Sequence, residues 1–218
     1  MNWLKSRLLT VILGVAVLLA GSVFLTSFTN NIKLPDNHQG YEPVQPIAYS
    51  HRLHAGELGI DCLHCHGGAE RSKNAGIPPV KTCMNCHKFV TAPWVDVKAE
   101  GDLADKEKRK SREIISPELK KLFEHMGRDS ASAPANPAPI EWVRVHNLPA
   151  HVYFNHSAHV NAGVSCQKCH GAVETMERVR QVSDLSMGWC VNCHREANVF
   201  GISGTKVQAS TDCVTCHH

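Results

Sequence analysis

Cys62-Leu63-His64-Cys65-His66 is the first of five pentads that decide how this chain folds. The others are Cys83-Met84-Asn85-Cys86-His87, Cys166-Gln167-Lys168-Cys169-His170, Cys190-Val191-Asn192-Cys193-His194 and Cys213-Val214-Thr215-Cys216-His217. All 10 cysteines of the 218 residues lie in them. Two thiols one helical turn apart face the same way and can add to the two vinyl groups of one porphyrin. The residue that follows then presents an imidazole to the iron on that face. Cys-x-x-Cys-His is the attachment signature of c-type haem. The expectation is five covalently bound haem c groups, with His66, His87, His170, His194 and His217 as proximal iron ligands, and a role in electron transport.

A second metal reading competes with the first. Between Cys65 and Cys83 lie 17 residues, and between Cys193 and Cys213 lie 19. Two Cys-x-x-Cys pairs at such spacing also describe a four-thiolate zinc site. Histidine makes up 15 of 218 residues, so five independent pairs each followed by histidine would arise by chance roughly once in a million. Five pairs also cannot be divided among four-cysteine sites, and the N-terminal pattern described below points to export. A pure disulfide scaffold is disfavoured by the same histidines.

Ten histidines remain outside the pentad ends: His38, His51, His54, His64, His125, His146, His151, His156, His159 and His218. Most isolated histidines are surface or hydrogen-bonded residues, but four of these belong to an internal duplication. His51-Arg52-Leu53-His54 precedes Cys62 as His156-Ser157-Ala158-His159 precedes Cys166, and a second pentad follows in each half. The offsets are 105 residues between the pairs, 104 between the first pentads and 107 between the second. His51, His54, His156 and His159 are therefore the expected distal ligands. His146 is expected to be the fifth, because it lies in an apolar, aromatic-flanked strip (Glu141 to Pro149, EWVRVHNLP). His151, His125 and His38 rank behind it, and His64 and His218 are disfavoured. A methionine (Met84, Met126, Met176 or Met187) in place of one histidine would raise the potential of that haem.

From Leu8 to Ile32 the chain carries no charge over 25 residues, after Lys5 and Arg7. As a helix this measures roughly 37 Å against a hydrocarbon core of about 30 Å. Positive residues ahead of it favour the N-terminus inside and the remainder outside. Ala20-Gly21-Ser22 would suit a signal-peptide cleavage site, but the apolar run continues through Val23, Phe24 and Leu25. An uncleaved anchor over residues 1–32 is the expectation. The rest divides into a two-haem unit (33–95), a charged helical linker with a Pro/Ala-rich segment (96–140) and a three-haem unit (141–218). Pro117 suits the start of a helix running to His125, Ser130 to Pro139 reads as extended linker, and Glu141 to His146 alternates like a short strand.

Removing the anchor leaves about 185 residues for five haems, or roughly 37 each, with only 6% aromatics in the chain, so the porphyrins must supply much of the interior. Folding should then depend on haem attachment. The formal charge of +3 belongs to the apoprotein. Each oxidised bis-imidazole haem adds about −1, which brings the holoprotein to about −2 and argues against a nucleic-acid surface. The fold class expected is mostly α and irregular: a single N-terminal transmembrane helix, then a compact multihaem cytochrome c domain with short helices and little β.

Tyr49 to His66 (YSHRLHAGELGIDCLHCH) and Phe154 to His170 (FNHSAHVNAGVSCQKCH) resemble the His-x-x-His then Cys-x-x-Cys-His units of class III multihaem cytochromes. In that class the two histidines ligate two different haems. With the IPPVKTCMNCH stretch, EWVRVHNLPAHVYFNHSAHV and MGWCVNCH, the chain resembles the membrane-anchored pentahaem subunit of bacterial alternative complex III. That resemblance implies a haem wire, not itself an enzyme, within a quinol:electron-acceptor oxidoreductase. It also implies partners: an integral membrane quinol-binding subunit, an iron–sulfur subunit, other cytochrome subunits, membrane lipid and a periplasmic electron carrier. The location implied is the bacterial inner membrane, single-pass, with the haem domain on the periplasmic side. Two alternatives remain. A self-sufficient quinol dehydrogenase cytochrome of the tetrahaem-anchor type would meet quinol itself. A multihaem oxyanion reductase would need an iron with an open position, whereas histidines here suffice to cap every iron.

Overall fold

Each Cys-x-x-Cys closes one helical turn in the computed structural model, which describes residues 2–31, 37–127 and 137–217. The chain divides into two units, Met1–Asn37 and His38–His218. Residues 1, 32–36, 128–136 and 218, which include most of the Pro/Ala-rich segment, lie outside the described residues.

The first unit carries helix α1, Asn2–Asn31. Its described apolar side chains, among them Val11, Leu18 and Phe24, are exposed. Ser22 and Thr26 turn their hydroxyls back onto the carbonyls of Leu19 and Ser22. This corrects the anchor expected over residues 1–32. Among the described residues no helix is long and apolar enough to cross a membrane. The single transmembrane helix, and the inner-membrane, single-pass placement that rested on it, are withdrawn.

In the second unit the helices are short because the sequence punctuates them. They are α2 (Cys62–Cys65), α3 (Val80–His87), α4 (Trp94–Glu107), α5 (Pro117–His125), α6 (His156–Asn161), α7 (Cys166–His170), α8 (Met187–Phe200) and α9 (Cys213–Cys216). A π turn at Arg52–Glu57 and a 3₁₀ turn at Val173–Thr175 complete the set and pack on each other. Side chains cap several N-termini: Asp61 accepts from the Leu63 amide, Asn155 from Ser157 and Ser186 from Trp189, each satisfying a donor that the helix leaves orphaned. Pro117 stands at the first turn of α5, where its missing N–H costs nothing. The mostly helical and irregular character, with little β, is as expected. Among the described residues β pairing is limited to the isolated bridges Val152–His217 and Ile202–Thr205. The alternating strip at 141–146 does not find a strand. The Gln45 carboxamide pairs with it instead, donating to the Val143 carbonyl and accepting its amide, both at 2.9 Å.

The charged segment from Asp96 onward folds more closely than its composition suggests. Leu122 and Phe123 on α5 are buried, as are Glu100 and Ala104 on α4. The Glu100 carboxylate accepts from the Arg109 guanidinium at 2.5 and 3.2 Å and from the Arg112 amide at 2.8 Å. These hydrogen bonds, Arg109 first, hold its pKa down from 4.5 to about 2. A depressed carboxylate contributes stability that is present above its unfolded pKa and is lost as pH falls through the folded one. Between about pH 4.5 and 2 the native chain should therefore lose stability that a Glu100→Gln variant never had. Acid titration of the holoprotein's melting temperature would show the two curves converging across that window. Parallel curves would refute the role given to Glu100.

Candidate functional site

The duplication read from the histidine pairs is a duplication of geometry. In the first copy Tyr49 lies over His54, with ring centroids 4.4 Å apart at 25°, and meets His51 edge-on at 4.8 Å and 84°. In the second copy Phe154 lies over His159 at 4.4 Å and 27° and meets His156 edge-on at 4.8 Å and 87°. An aromatic residue two positions before the first histidine thus orients both imidazoles in each half. Sequence reasoning missed Tyr49 and Phe154. The signal was present, since both quoted repeats begin on these residues.

A haem-ligating imidazole must present a lone pair from Nε2, which it does when Nδ1 carries the proton and donates to a fixed acceptor. Three of the proximal candidates meet this condition against a backbone carbonyl. Nδ1 of His66 lies 2.7 Å from the Gly76 carbonyl oxygen, that of His87 2.8 Å from Val90, and that of His194 2.5 Å from Ser210. Among the distal candidates, His54 donates to the Ser50 carbonyl at 2.9 Å, His156 to Lys73 at 2.8 Å and His159 to Asn155 at 2.8 Å. A carbonyl oxygen can only accept, so these contacts select one tautomer. Burial acts in the same sense by disfavouring the charged ring, pushing His51 and His170 down to about 4 and lowering His159.

The imidazoles are also paired at the spacing an iron requires. With a metal–nitrogen bond of about 2.0–2.1 Å and about 1.1 Å from Nε2 to the ring centre, two axial imidazoles have centroids about 6.3 Å apart. His54 and His87 stand 6.1 Å apart, His159 and His194 6.0 Å, and His156 and His170 6.4 Å. His51 lies near enough to His66 for the two rings to act on each other electrostatically. Within each half the two histidines of a pair face different pentads. The residues therefore fit haem: a one-turn thiol pair, a proximal imidazole of defined tautomer and an opposed second imidazole. Among the described residues no group of three or more His, Cys, Asp or Glu is placed to hold a bare metal ion, so the geometry gives the four-thiolate alternative no support.

The fifth pairing differs from the expectation. His146 does not face a free pentad. Its Nε2 lies 3.1 Å from Nδ1 of His170, with the rings 4.2 Å apart at 72°; a His170 that ligates through Nε2 carries its proton on Nδ1 and would be the donor. His217 is instead accompanied by His151, at 5.4 Å and 22°. The Val152–His217 bridge and the Tyr153 amide donating to the Cys216 carbonyl at 2.8 Å bring the two together. His125 donates to the Ala138 carbonyl, His38 meets Tyr41 edge-on and His64 is exposed. Met187 is 71% exposed.

The ten cysteines are free thiols. Burial, the largest cause, raises Cys62, Cys65, Cys83 and Cys190, and pushes Cys169 up to about 11. Tyr49, close to Cys65 and Cys83, is raised to about 12, again chiefly by burial. Burial thus favours the protonated form of these five thiols, the form whose S–H adds across a vinyl group.

Comparison with known proteins agrees with this chemistry. Residues 152–218 match the family model of cytochrome c7 and related cytochrome c. The menaquinone reductase multiheme cytochrome c subunit of Nitratidesulfovibrio vulgaris is 22% identical over 193 residues, covering 79% of this chain and 76% of its own. In its C-terminal part by family model, and over most of its length by that relative, the chain is similar to multihaem c-type cytochromes.

Proposed function

We propose that the chain is a pentahaem electron-transfer subunit of a quinone oxidoreductase complex. Each pentad carries one haem c through two thioethers, with His66, His87, His170, His194 and His217 as proximal ligands. His51, His54, His156 and His159 cap the first, second, third and fourth irons, and His151 caps the fifth. The haem supplies a one-electron couple. The chain's own residues hold it, set the ligand tautomers and close both faces of the iron, which suits relay and leaves no position for a substrate. The observation that carries this reading is the set of opposed imidazoles 6.0 to 6.4 Å apart, each pair joining a pentad histidine to a histidine of the duplicated motif.

The quinone side rests on the likeness to a menaquinone reductase subunit and on the resemblance to alternative complex III. The relative is by name one subunit of a menaquinone reductase, and the resemblance implies that quinone chemistry belongs to another subunit, with an iron–sulfur subunit and further cytochromes completing the path to a periplasmic carrier. Intact mass of the native chain should exceed that of the polypeptide by five haems, with all ten cysteines blocked to alkylation. Fewer than five haems would refute the stoichiometry. Mass spectrometry of co-purifying subunits tests the complex, and a cytochrome recovered alone that turns over quinol by itself would replace this assignment.

A further inference from the structure

We propose that the five attachment sites form one unbroken line in the order second, first, third, fourth, fifth pentad, with the two halves of the duplication joined through the first and third. The second and fifth sites are then the ends at which electrons enter and leave. This rests on the haem reading above and goes beyond it, because the sequence gives the sites an order along the chain and none in space.

Each junction has its own observations. The second site adjoins the first because His51 and His54, one turn apart, face His66 and His87, and Tyr49 packs on both. The third adjoins the fourth for the same reason, through His156, His159 and Phe154. The fourth adjoins the fifth because His194 donates to the Ser210 carbonyl, three residues before Cys213. The Asn198 carboxamide holds the same strip by a reciprocal pair of hydrogen bonds to Ala209 at 2.8 and 2.7 Å.

The junction of first and third is the one that sets the order. The Cys62 thiol lies close to that of Cys166. His156, which faces His170, is held by the Lys73 carbonyl, in the same loop whose Gly76 carbonyl holds His66. Behind them the π turn and the 3₁₀ turn touch directly. The Arg52 amide donates to the Met176 carbonyl at 2.9 Å, and a Cβ placed on Gly56 would lie 2.3 Å from the Glu174 carbonyl oxygen. Only glycine admits that approach. The second site lies on the far side of the first: its His87 is held by Val90 and faces His54, both within the first half. A line in sequence order would need the second and third sites to touch.

Two double variants of the full holoprotein separate these orders by electron paramagnetic resonance. Each distal histidine replaced by alanine leaves one ferric iron high-spin, and two neighbouring high-spin irons broaden each other's signals. His51→Ala with His156→Ala, which marks the first and third sites, should give a spectrum that departs from the sum of the single variants. His54→Ala with His156→Ala, which marks the second and third, should equal the sum. The reverse pattern, or simple addition in both, would overturn the order. Where an alanine variant does not fold, the same pairs made as His→Met keep six ligands. Their midpoint potentials should then be non-additive for the first pair and additive for the second, and the opposite would overturn it equally. Intact mass showing fewer than five haems in the unmutated chain would overturn the haem reading itself, and the order with it.

Discussion

Replacing His151 by alanine should convert one of five low-spin irons to a high-spin form that binds carbon monoxide, whereas replacing His146 should leave all five low-spin. The motive is the division of labour between the two histidines. His151 lies beside His217, brought there by the Val152–His217 bridge. His146 instead accepts the Nδ1 proton of His170. A hydrogen bond accepted from a ligating imidazole raises its basicity and favours the oxidised iron. His170 is unlike the other proximal histidines whose Nδ1 partners are described, because its acceptor is an imidazole and theirs are backbone carbonyls. His146→Ala should therefore raise one midpoint potential by about 60 mV, the equivalent of a tenfold change in a one-electron equilibrium. His146→Gln, whose carboxamide oxygen can still accept, should recover most of the shift. A merely structural role would broaden or lose signals and would not move one potential selectively. If His146→Ala opened an iron to carbon monoxide and His151→Ala did not, the two roles would have to be exchanged.

The difference between these histidines shows what was legible in the sequence and what was not. Covalent chemistry is written locally: Cys-x-x-Cys-His fits one helical turn, and each pentad forms that turn. The four paired histidines stand out in the sequence because a duplication repeats them, and three of them lie with ring centroids 6.0 to 6.4 Å from that of a pentad histidine. The fifth was not legible, because it depends on the chain returning over a long span. The Val152–His217 bridge and the Tyr153 amide donating to the Cys216 carbonyl bring His151, and not His146, beside the last pentad. The strip around His146 is held elsewhere: the Gln45 carboxamide pairs with its backbone at Val143. The N-terminal expectation failed differently. It was drawn from the absence of charge between Leu8 and Ile32, a criterion of composition, whereas among the described residues no helix is long and apolar enough to cross a membrane. The burial of Glu100 in a segment read as exposed has a similar origin, since a charge count does not reveal that Arg109 and Arg112 converge on one carboxylate.

The chain produced without haem should not fold cooperatively. Its buried apolar side chains among the described residues are Ile47, Leu122 and Phe123 together with the alanines 69, 92, 104 and 197. Alanines bury little surface, so the polypeptide alone offers three large side chains to hold an interior together. The chain exposes 15910 Å², against about 9,900 Å² for a monomer of its 24.0 kDa. Helix α1 accounts for part of that excess. Near the pentads Leu58, Ile77, Met187 and Val214 are 60% to 78% exposed. Those side chains flank thiols and imidazoles arranged to receive porphyrin, whose apolar faces would cover them. Loss of the hydrophobic term leaves conformational entropy unopposed, and the buried neutral histidines lose the ligand that offsets their desolvation. Circular dichroism of the haem-free chain should show reduced helix and a broad, non-cooperative melt, while the holoprotein melts in a sharp transition. Replacing Cys62 and Cys65 by alanine should abolish accumulation of the protein, because the first site touches both the second and the third. The same change at Cys213 and Cys216, at one end of the line, should leave a folded tetrahaem chain. A sharp melt in the haem-free protein would show that the polypeptide holds its own core.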